Sequence, residues 1–350
     1  MSRRATCQNG ALRGPRKNHR VGEVVAVTEM NMVQAINSTL RSEMQRDDRI
    51  VLLGEDIGSV GGVFRVTSGL QQEFGEQRVI DTPLAETGIV GTAIGMAIYG
   101  LRPVPEIQFA DFIFPAFDQI VSEAAKYRYR SGGEFQCPMV LRTPVGGGIR
   151  GGHYHSQSPE SLFIHNAGLK VVYPATPYDA KGLLSSALRD DDPVLFFEPK
   201  RVYRAAKMDV PEDDYQLPLC QAHTVREGND VTLVTWGAML YESVAAAQQV
   251  AEQGIGTEII DLRTLWPVDS DTVTESVKKT GRLVVVHEAP AACGLGAELI
   301  AQLCDRAFLH LQAPPRRVTG WDTPFPYTLE NEYLPLAHRI VPALVESARF

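Results

Sequence analysis

Two α/β domains in tandem are what this sequence predicts, on three observations. Short apolar, strand-like runs alternate with segments of helical periodicity along nearly the whole chain, the pattern of a mostly parallel sheet layered with helices. The alternation is interrupted once, at 204–222, by a stretch rich in acids and proline with little periodicity. The chain has 350 residues, more than one hydrophobic core usually serves. These observations predict a first domain over 23–205, a linker over 206–222 and a second domain over 223–350.

The elements follow in order. Thr28 stands where it would cap a helix whose Met32, Val33, Ile36, Leu40 and Met44 recur at helical spacing. The run at 49–53 reads as a buried strand stopped by Gly54. Thr67 would cap a short helix ending at Gly75, with a strand at 78–81 after it. A helix over 87–99, a strand over 104–109 and a long helix over 115–130 come next, the last with Pro115 at its start. Strands at 139–142 and 170–173, a helix over 178–188 and a strand at 193–198 complete the first domain. In the second, strands at 231–235, 257–261, 282–287 and 317–320 alternate with helices over 241–252, 270–279 and 295–308.

Composition narrows the function classes. Hydrophobic residues make up 44% and charged residues 22%, the balance of a globular chain. No run of about 18 apolar residues occurs, so no membrane span is predicted. The net charge of −8 argues against nucleic acid, which demands a basic face. The five cysteines are scattered without a C-x-x-C pair, which predicts neither a disulfide framework nor a zinc site and suits a reducing compartment. Residues 1–22 carry Arg3, Arg4, Arg13, Arg16, Lys17 and Arg20 and no acid. They have no apolar helical face and contain Gly10, Gly14 and Pro15, so a disordered basic arm is expected rather than a transit peptide.

Four segments bear on chemistry. Gly146, Gly148 and Gly151 form a G-x-G-x-x-G, but no helix opens directly behind them and position 171 is valine. A nicotinamide-binding fingerprint needs a helix there and an acid about 20 residues on, so a mobile glycine loop beside a site is the better account. His153 and His155 are one residue apart, too close for a zinc-binding helical pair. His155 sits on a polar loop before Ser158 and Pro159, where it is either an acid/base group or a structural histidine. Glu86 opens a helix of small and apolar residues including Gly88, Gly91 and Gly95. That helix is expected to be buried on all sides, with Gly91-x-x-x-Gly95 packed against another helix or subunit, making Glu86 a candidate proton relay. The cations of Lys126-Tyr-Arg-Tyr-Arg130 complement a helix C-terminus rather than an RNA.

Four strings then carry a resemblance: Thr82-Pro-Leu-Ala-Glu-Thr-Gly-Ile-Val-Gly91, Glu106-Ile-Gln-Phe-Ala-Asp-Phe-Ile-Phe-Pro-Ala-Phe-Asp118, Tyr154-His-Ser-Gln-Ser-Pro-Glu160 and Phe196-Phe-Glu-Pro199. Together with His287-Glu-Ala-Pro290 and Gly320-Trp-Asp-Thr-Pro-Phe325, they closely resemble the β subunit of 2-oxo acid dehydrogenases. Within that family the branched-chain enzyme looks most similar. The resemblance implies a doubly wound, pyrimidine-type thiamine-diphosphate-binding domain followed by a transketolase-type C-terminal α/β domain. It also implies a cofactor shared with an α subunit in an α2β2 heterotetramer, and a lipoyl acyltransferase core as a further partner. The α chain's Gly-Asp-Gly…Asn motif, which holds Mg2+ and the diphosphate, is missing here; Glu227-Gly-Asn-Asp230 is the nearest string.

By position, Glu86 matches the glutamate that bonds N1′ of the aminopyrimidine, and Phe112 the aromatic that packs on that ring. Glu55, Leu84 and Gln108 match neighbours of the same pocket. His155 matches a histidine implicated in substrate handling and in acyl transfer to the lipoyl arm. Some family members bind potassium through positions matching Cys137, Met139, Val140, Ala187, Asp190 and Asp192. The resemblance implies a cytoplasmic protein in a bacterium and a mitochondrial-matrix one in a eukaryote. Pyruvate or acetoin dehydrogenase β subunits are the alternatives within the family, and an NAD-dependent oxidoreductase the one outside it.

Overall fold

A computed structural model of the chain describes residues 26–350, so the basic arm expected over 1–22 lies outside the described residues. The first half contains β1 (Val27–Met30), α1 (Met32–Arg46), β2 (Ile50–Gly54), α2 (Leu70–Phe74), β3 (Val79–Asp81), α3 (Glu86–Ile98), β4 (Arg102–Glu106), α4 (Tyr127–Arg130), β5 (Val140–Val145), α5 (Glu160–Ile164), β6 (Lys170–Val172), α6 (Pro177–Leu188) and β7 (Val194–Pro199). Then come β8 (Met208–Pro211), β9 (His223–Arg226), β10 (Val231–Thr235), α7 (Met239–Ala251), β11 (Thr257–Asp261), β12 (Thr264–Trp266), α8 (Ser270–Thr280), β13 (Leu283–Pro290), α9 (Leu295–Ala307), β14 (Arg316–Gly320), α10 (Glu330–Tyr333) and α11 (Ala337–Ala348).

Seven strands form the first sheet in the order β12-β6-β7-β5-β4-β2-β3, and five form the second in the order β14-β13-β10-β11-β9. Both are parallel except at one edge, where β12 runs antiparallel to β6 and β9 antiparallel to β11. Buried parallel strands send successive side chains into two different cores. Leu52 and Phe196 join one cluster with Met32, Ile36, Leu40 and Leu184 of α1 and α6. Leu53 and Phe197 join the other with Ile89, Val90 and Ala93 of α3. Each cluster also takes residues of the second sheet, such as Leu233 in one and Val234 in the other. The two halves therefore share continuous cores, and β12 crosses over to extend the first sheet.

Several expected elements differ. Asn31, not Thr28, caps α1: its side chain accepts from the Gln34 amide while the Gln34 side chain accepts from the Asn31 amide, both at 3.0 Å. Thr28 instead lies in β1, which pairs with β8 in the stretch read as linker. Thr67 does not cap α2; its hydroxyl donates to the Ile57 carbonyl at 2.7 Å, and Gly69 with φ 80° precedes the helix. The long helix expected over 115–130 is a relay of short turns, with a π turn at Gln119–Glu123 between 3₁₀ turns and α4. The extra residue in the π turn brings both Ile120–Val121 and Ala124–Ala125 onto the core. Among the described residues Cys137, Cys293 and Cys304 are free thiols.

Candidate active site

In a doubly wound sheet, ligands bind beyond the carboxyl ends of the strands, where successive connections leave a strand pair in opposite directions. Here β2 connects to β3 on one side, and the chain then crosses β2 to lay down β4 on the other. Glu55 directly follows β2, Gln108 follows β4, and Glu86 opens the helix after β3. Three of the residues singled out from sequence thus emerge at this switch point. The Gln108 amide nitrogen lies 3.4 Å from both the Glu55 carbonyl and an Asp56 carboxylate oxygen. Partial burial pushes the Glu55 carboxyl up, and the neighbouring Asp56 and Glu86 carboxylates add to it.

Aromatic edges bring His155 to the same place. Its ring meets Phe112 edge-on at 5.4 Å between centroids and Phe109 at 4.5 Å, while Phe109 and Phe112 meet at 5.8 Å. Glu55, Glu86, Gln108, Phe112 and His155 therefore converge. Leu84, two residues before α3, is 70% exposed. Helix α3 is not buried on all sides as expected: Ile89, Val90, Ala93, Ile94 and Ala97 face the core, while Gly88, Thr92, Gly95 and Tyr99 face outward. Composition alone cannot tell a core helix from one whose small-residue face awaits another chain.

The glycine run does not open a helix, and three of its glycines answer to the second half of the molecule. A Cβ on Gly146 would stand 2.8 Å from a Glu288 carboxylate oxygen, one on Gly147 2.6 Å from Phe325, and one on Gly152 2.4 Å from Tyr327. Close approach of protein, not of a dinucleotide, requires them. Among the described residues no group of three or more His, Cys, Asp or Glu could hold a metal ion, and His153 leans on Tyr154 and Tyr327. In the Lys126–Arg130 segment, Arg128 pairs with Asp192 and Arg130 with Glu123.

The six residues of the suspected potassium site gather around the end of α6 and the start of β5, and several of their oxygens already accept hydrogen bonds. The Cys137, Met139 and Ala187 carbonyls accept from the Met139, Val194 and Asp190 amides. The Lys170 ammonium sits 2.7 Å from both Asp190 carboxylate oxygens and 3.3 Å from Asp192.

Sequence reading missed a set of buried charges beside the site: Asp111, Glu160, Lys200, Glu288 and Glu330. Burial pushes the Glu160 carboxyl up to about 8, although Trp236 donates to it. Glu160 and Glu288 stand inside strings that carried the resemblance, and Lys200 follows another, yet no periodicity marks any of them.

Known proteins place this geometry. Residues 28–206 match the transketolase pyrimidine-binding domain and residues 220–340 the transketolase C-terminal domain. A solved structure of a split-gene transketolase, an inactive β4 tetramer, superposes with a TM-score of 0.74 over 92% of this chain and 99% of that one. At 21% identity that likeness speaks to the fold alone. The class is thus a transketolase-type α/β protein. Among relatives, the mitochondrial 2-oxoisovalerate dehydrogenase subunit beta of Dictyostelium discoideum is 55% identical, covering 88% of this chain and 83% of its own. The Pseudomonas aeruginosa 2-oxoisovalerate dehydrogenase subunit beta is 50% identical over 90% and 93%. The pyruvate dehydrogenase E1 component subunit beta of Staphylococcus epidermidis is 49% identical over 88% and 95%. The chain belongs to the β-subunit family of 2-oxo acid dehydrogenases, a thiamine-diphosphate-dependent family whose β chains act with an α subunit.

Proposed function

We propose that this chain is the β subunit of a branched-chain 2-oxo acid dehydrogenase. With its α subunit it oxidatively decarboxylates the 2-oxo acids derived from valine, leucine and isoleucine and delivers the acyl group to a lipoyl acyltransferase. The observation that carries the reading is the convergence of Glu55, Glu86, Gln108 and Phe112 at one switch point, with His155 packed against Phe112. Identity of about half to relatives named for 2-oxoisovalerate supports the substrate class.

The residues fit an aminopyrimidine. Glu86 offers a carboxylate to share a proton with its N1′, Phe112 a flat ring, Gln108 an amide, and Leu84 an apolar wall. When bound, thiamine diphosphate supplies the electron sink for loss of CO2. Glu86 holds the proton that this chemistry requires, Glu55 lies beside it with its own carboxyl pushed up, and His155 handles the substrate and its acyl group. The diphosphate and Mg2+ are assigned to the α subunit, whose Gly-Asp-Gly…Asn motif has no counterpart in this sequence. Of the residues matched to a potassium site, Asp190 and Asp192 already pair with the Lys170 ammonium, and no step is derived through such an ion. The outward face of α3, with Gly88, Thr92 and Gly95, supports docking of another chain in an α2β2 assembly.

Two experiments test the reading. The reconstituted αβ pair is expected to turn over 3-methyl-2-oxobutanoate with at least about tenfold higher kcat/KM than pyruvate, a ratio that apolar pocket contacts can supply. Equal or better use of pyruvate makes the chain a pyruvate dehydrogenase β subunit. His155→Ala is expected to lower acyl transfer to lipoamide by about 10²-fold, at least as much as decarboxylation assayed with an artificial electron acceptor. Parent rates with both acceptors would reject a role for His155.

A further inference from the structure

A glycine-rich loop leaves many backbone amides without a regular ladder, and buried amides must find partners. In the loop 146–157 those partners are carboxylates, two of them from the other half of the molecule. Glu288, on β13, accepts from the Gly147 amide. Glu330, at the start of α10, accepts from the Gly148 amide at 3.1 Å through one oxygen and from the Arg150 amide at 3.0 Å through the other. At the loop's far end one Asp111 oxygen accepts from the Ser156 and Gln157 amides, both at 3.2 Å. The Gly146 amide closes the base by donating to the Gln157 carbonyl at 2.9 Å.

These three acids are buried, at 5% exposure for Glu288, 6% for Glu330 and 9% for Asp111. Buried carboxylates so grouped repel one another and need a counter-charge. Lys200 supplies it: its ammonium is buried, makes no hydrogen bond among the described residues and feels all three acids. The same ammonium lies 5.7 Å over the Phe109 ring, whose edge meets the His155 ring. Burial pushes the Glu288 and Asp111 carboxyls up and the Lys200 ammonium down.

We propose that Glu288 and Glu330, balanced by Lys200, form a latch across the two halves of the chain that fixes the glycine loop and so positions His155. The claim that the latch serves turnover rests on the reading of His155 given above; the claim that it holds the loop does not. Glu288 and Glu330 are positioning residues, because their carboxylates bond backbone amides of the loop that carries the histidine.

The test uses the assembled αβ pair with Glu330→Ala and Glu330→Gln. Hydrogen exchange at the 147–150 amides, and tryptic cleavage after the exposed Arg150, are expected to rise about tenfold in the alanine variant. An intermediate rise is expected for glutamine, whose one amide oxygen still accepts a single N–H. Transfer to lipoamide should fall about tenfold in kcat, with KM for the 2-oxo acid within about twofold. Should alanine prevent assembly, glutamine, which keeps the side-chain volume, carries the test. Unchanged exchange and cleavage overturn the latch. Faster exchange with parent-level transfer, where His155→Ala abolishes transfer, overturns the positioning role. If neither the Glu330 substitutions nor His155→Ala affect transfer, it is the reading of His155 that fails, and the loop latch stands on the exchange data.

Discussion

Glu86→Gln is expected to lower decarboxylation by the reconstituted αβ pair about 10²- to 10⁴-fold, the range lost when a positioned proton-transfer group is removed. The substitution keeps the shape of the side chain and removes both its charge and its capacity to exchange a proton. Its structural cost is small. Glu86 is half-buried at the first position of α3, where a carboxylate gains about 0.3–1 kcal/mol from the helix dipole. Loss of activity should therefore come with nearly unchanged thermal unfolding and circular dichroism. A second readout lies next door. The Glu86 charge is one of the causes that raise the Glu55 carboxyl, after burial and Asp56, so the variant should let Glu55 ionise at lower pH. Single-turnover CO2 release and carboxyl titration by NMR measure the two effects. Near-parent CO2 release from the glutamine variant would end the proton-relay assignment.

Arg142→Met is expected to cost about 3–5 kcal/mol of stability, the penalty for removing one partner of a buried ionic group. Arg142 is buried in the middle of the first sheet. Its guanidinium reaches Glu106 at 2.8 Å and grips both Glu198 oxygens, at 2.7 and 3.0 Å, while the Tyr203 hydroxyl donates to Glu198 at 2.6 Å. Methionine fills most of the volume but leaves two carboxylates facing each other in the core. Burial already pushes the Glu106 carboxyl up against the pull of Arg142. Without that pull Glu106 holds its proton in the folded state more strongly than in the unfolded one. A carboxyl raised in this way stabilises the fold at low pH and loses that contribution as pH rises. The deficit of the variant should accordingly shrink on acidification. Urea titrations at pH 5.5 and 8 measure both the loss and its slope; a loss below about 1 kcal/mol at pH 8 would mean that the three charges are not coupled as the distances imply. Because β4 ends at Glu106 and runs on into Gln108 and Phe112, the variant should also weaken cofactor retention.

How far the sequence could be read depends on the range of the forces involved. The strands carrying Leu52 and Leu53, or Phe196 and Phe197, announce themselves because alternate side chains enter two apolar cores. The short β12 does not: its Thr264 and Trp266 pair with β6 nearly a hundred positions earlier, and nothing within three residues signals that crossover. Helix α11, with Pro342 inside it, went unread because proline ordinarily marks a helix end. Thr28 and Asn31 are both good cap residues, and the pairing of β1 with β8 decided between them.

The site divides along the same line. Gln108 and Phe112 came only from the resemblance of the string that holds them, whereas local chemistry was enough to single out Glu86 at a helix start and His155 on a glycine loop as candidates, because residue type and neighbours within a few positions carry that information. What holds them together was not: Glu288 and Glu330 reach the loop across sequence separations of 141, 182 and 180, and Lys200 matters only for the acids folded around it. By itself the sequence determined the alternation of strands and helices, the family and a set of candidate site residues. Only the tertiary structure decided which face of α3 stays open, why the glycines must be glycines, and which buried charges clamp the loop. Periodicity and capping act over a turn or two of chain, whereas steric contact and Coulomb attraction depend on distance in space.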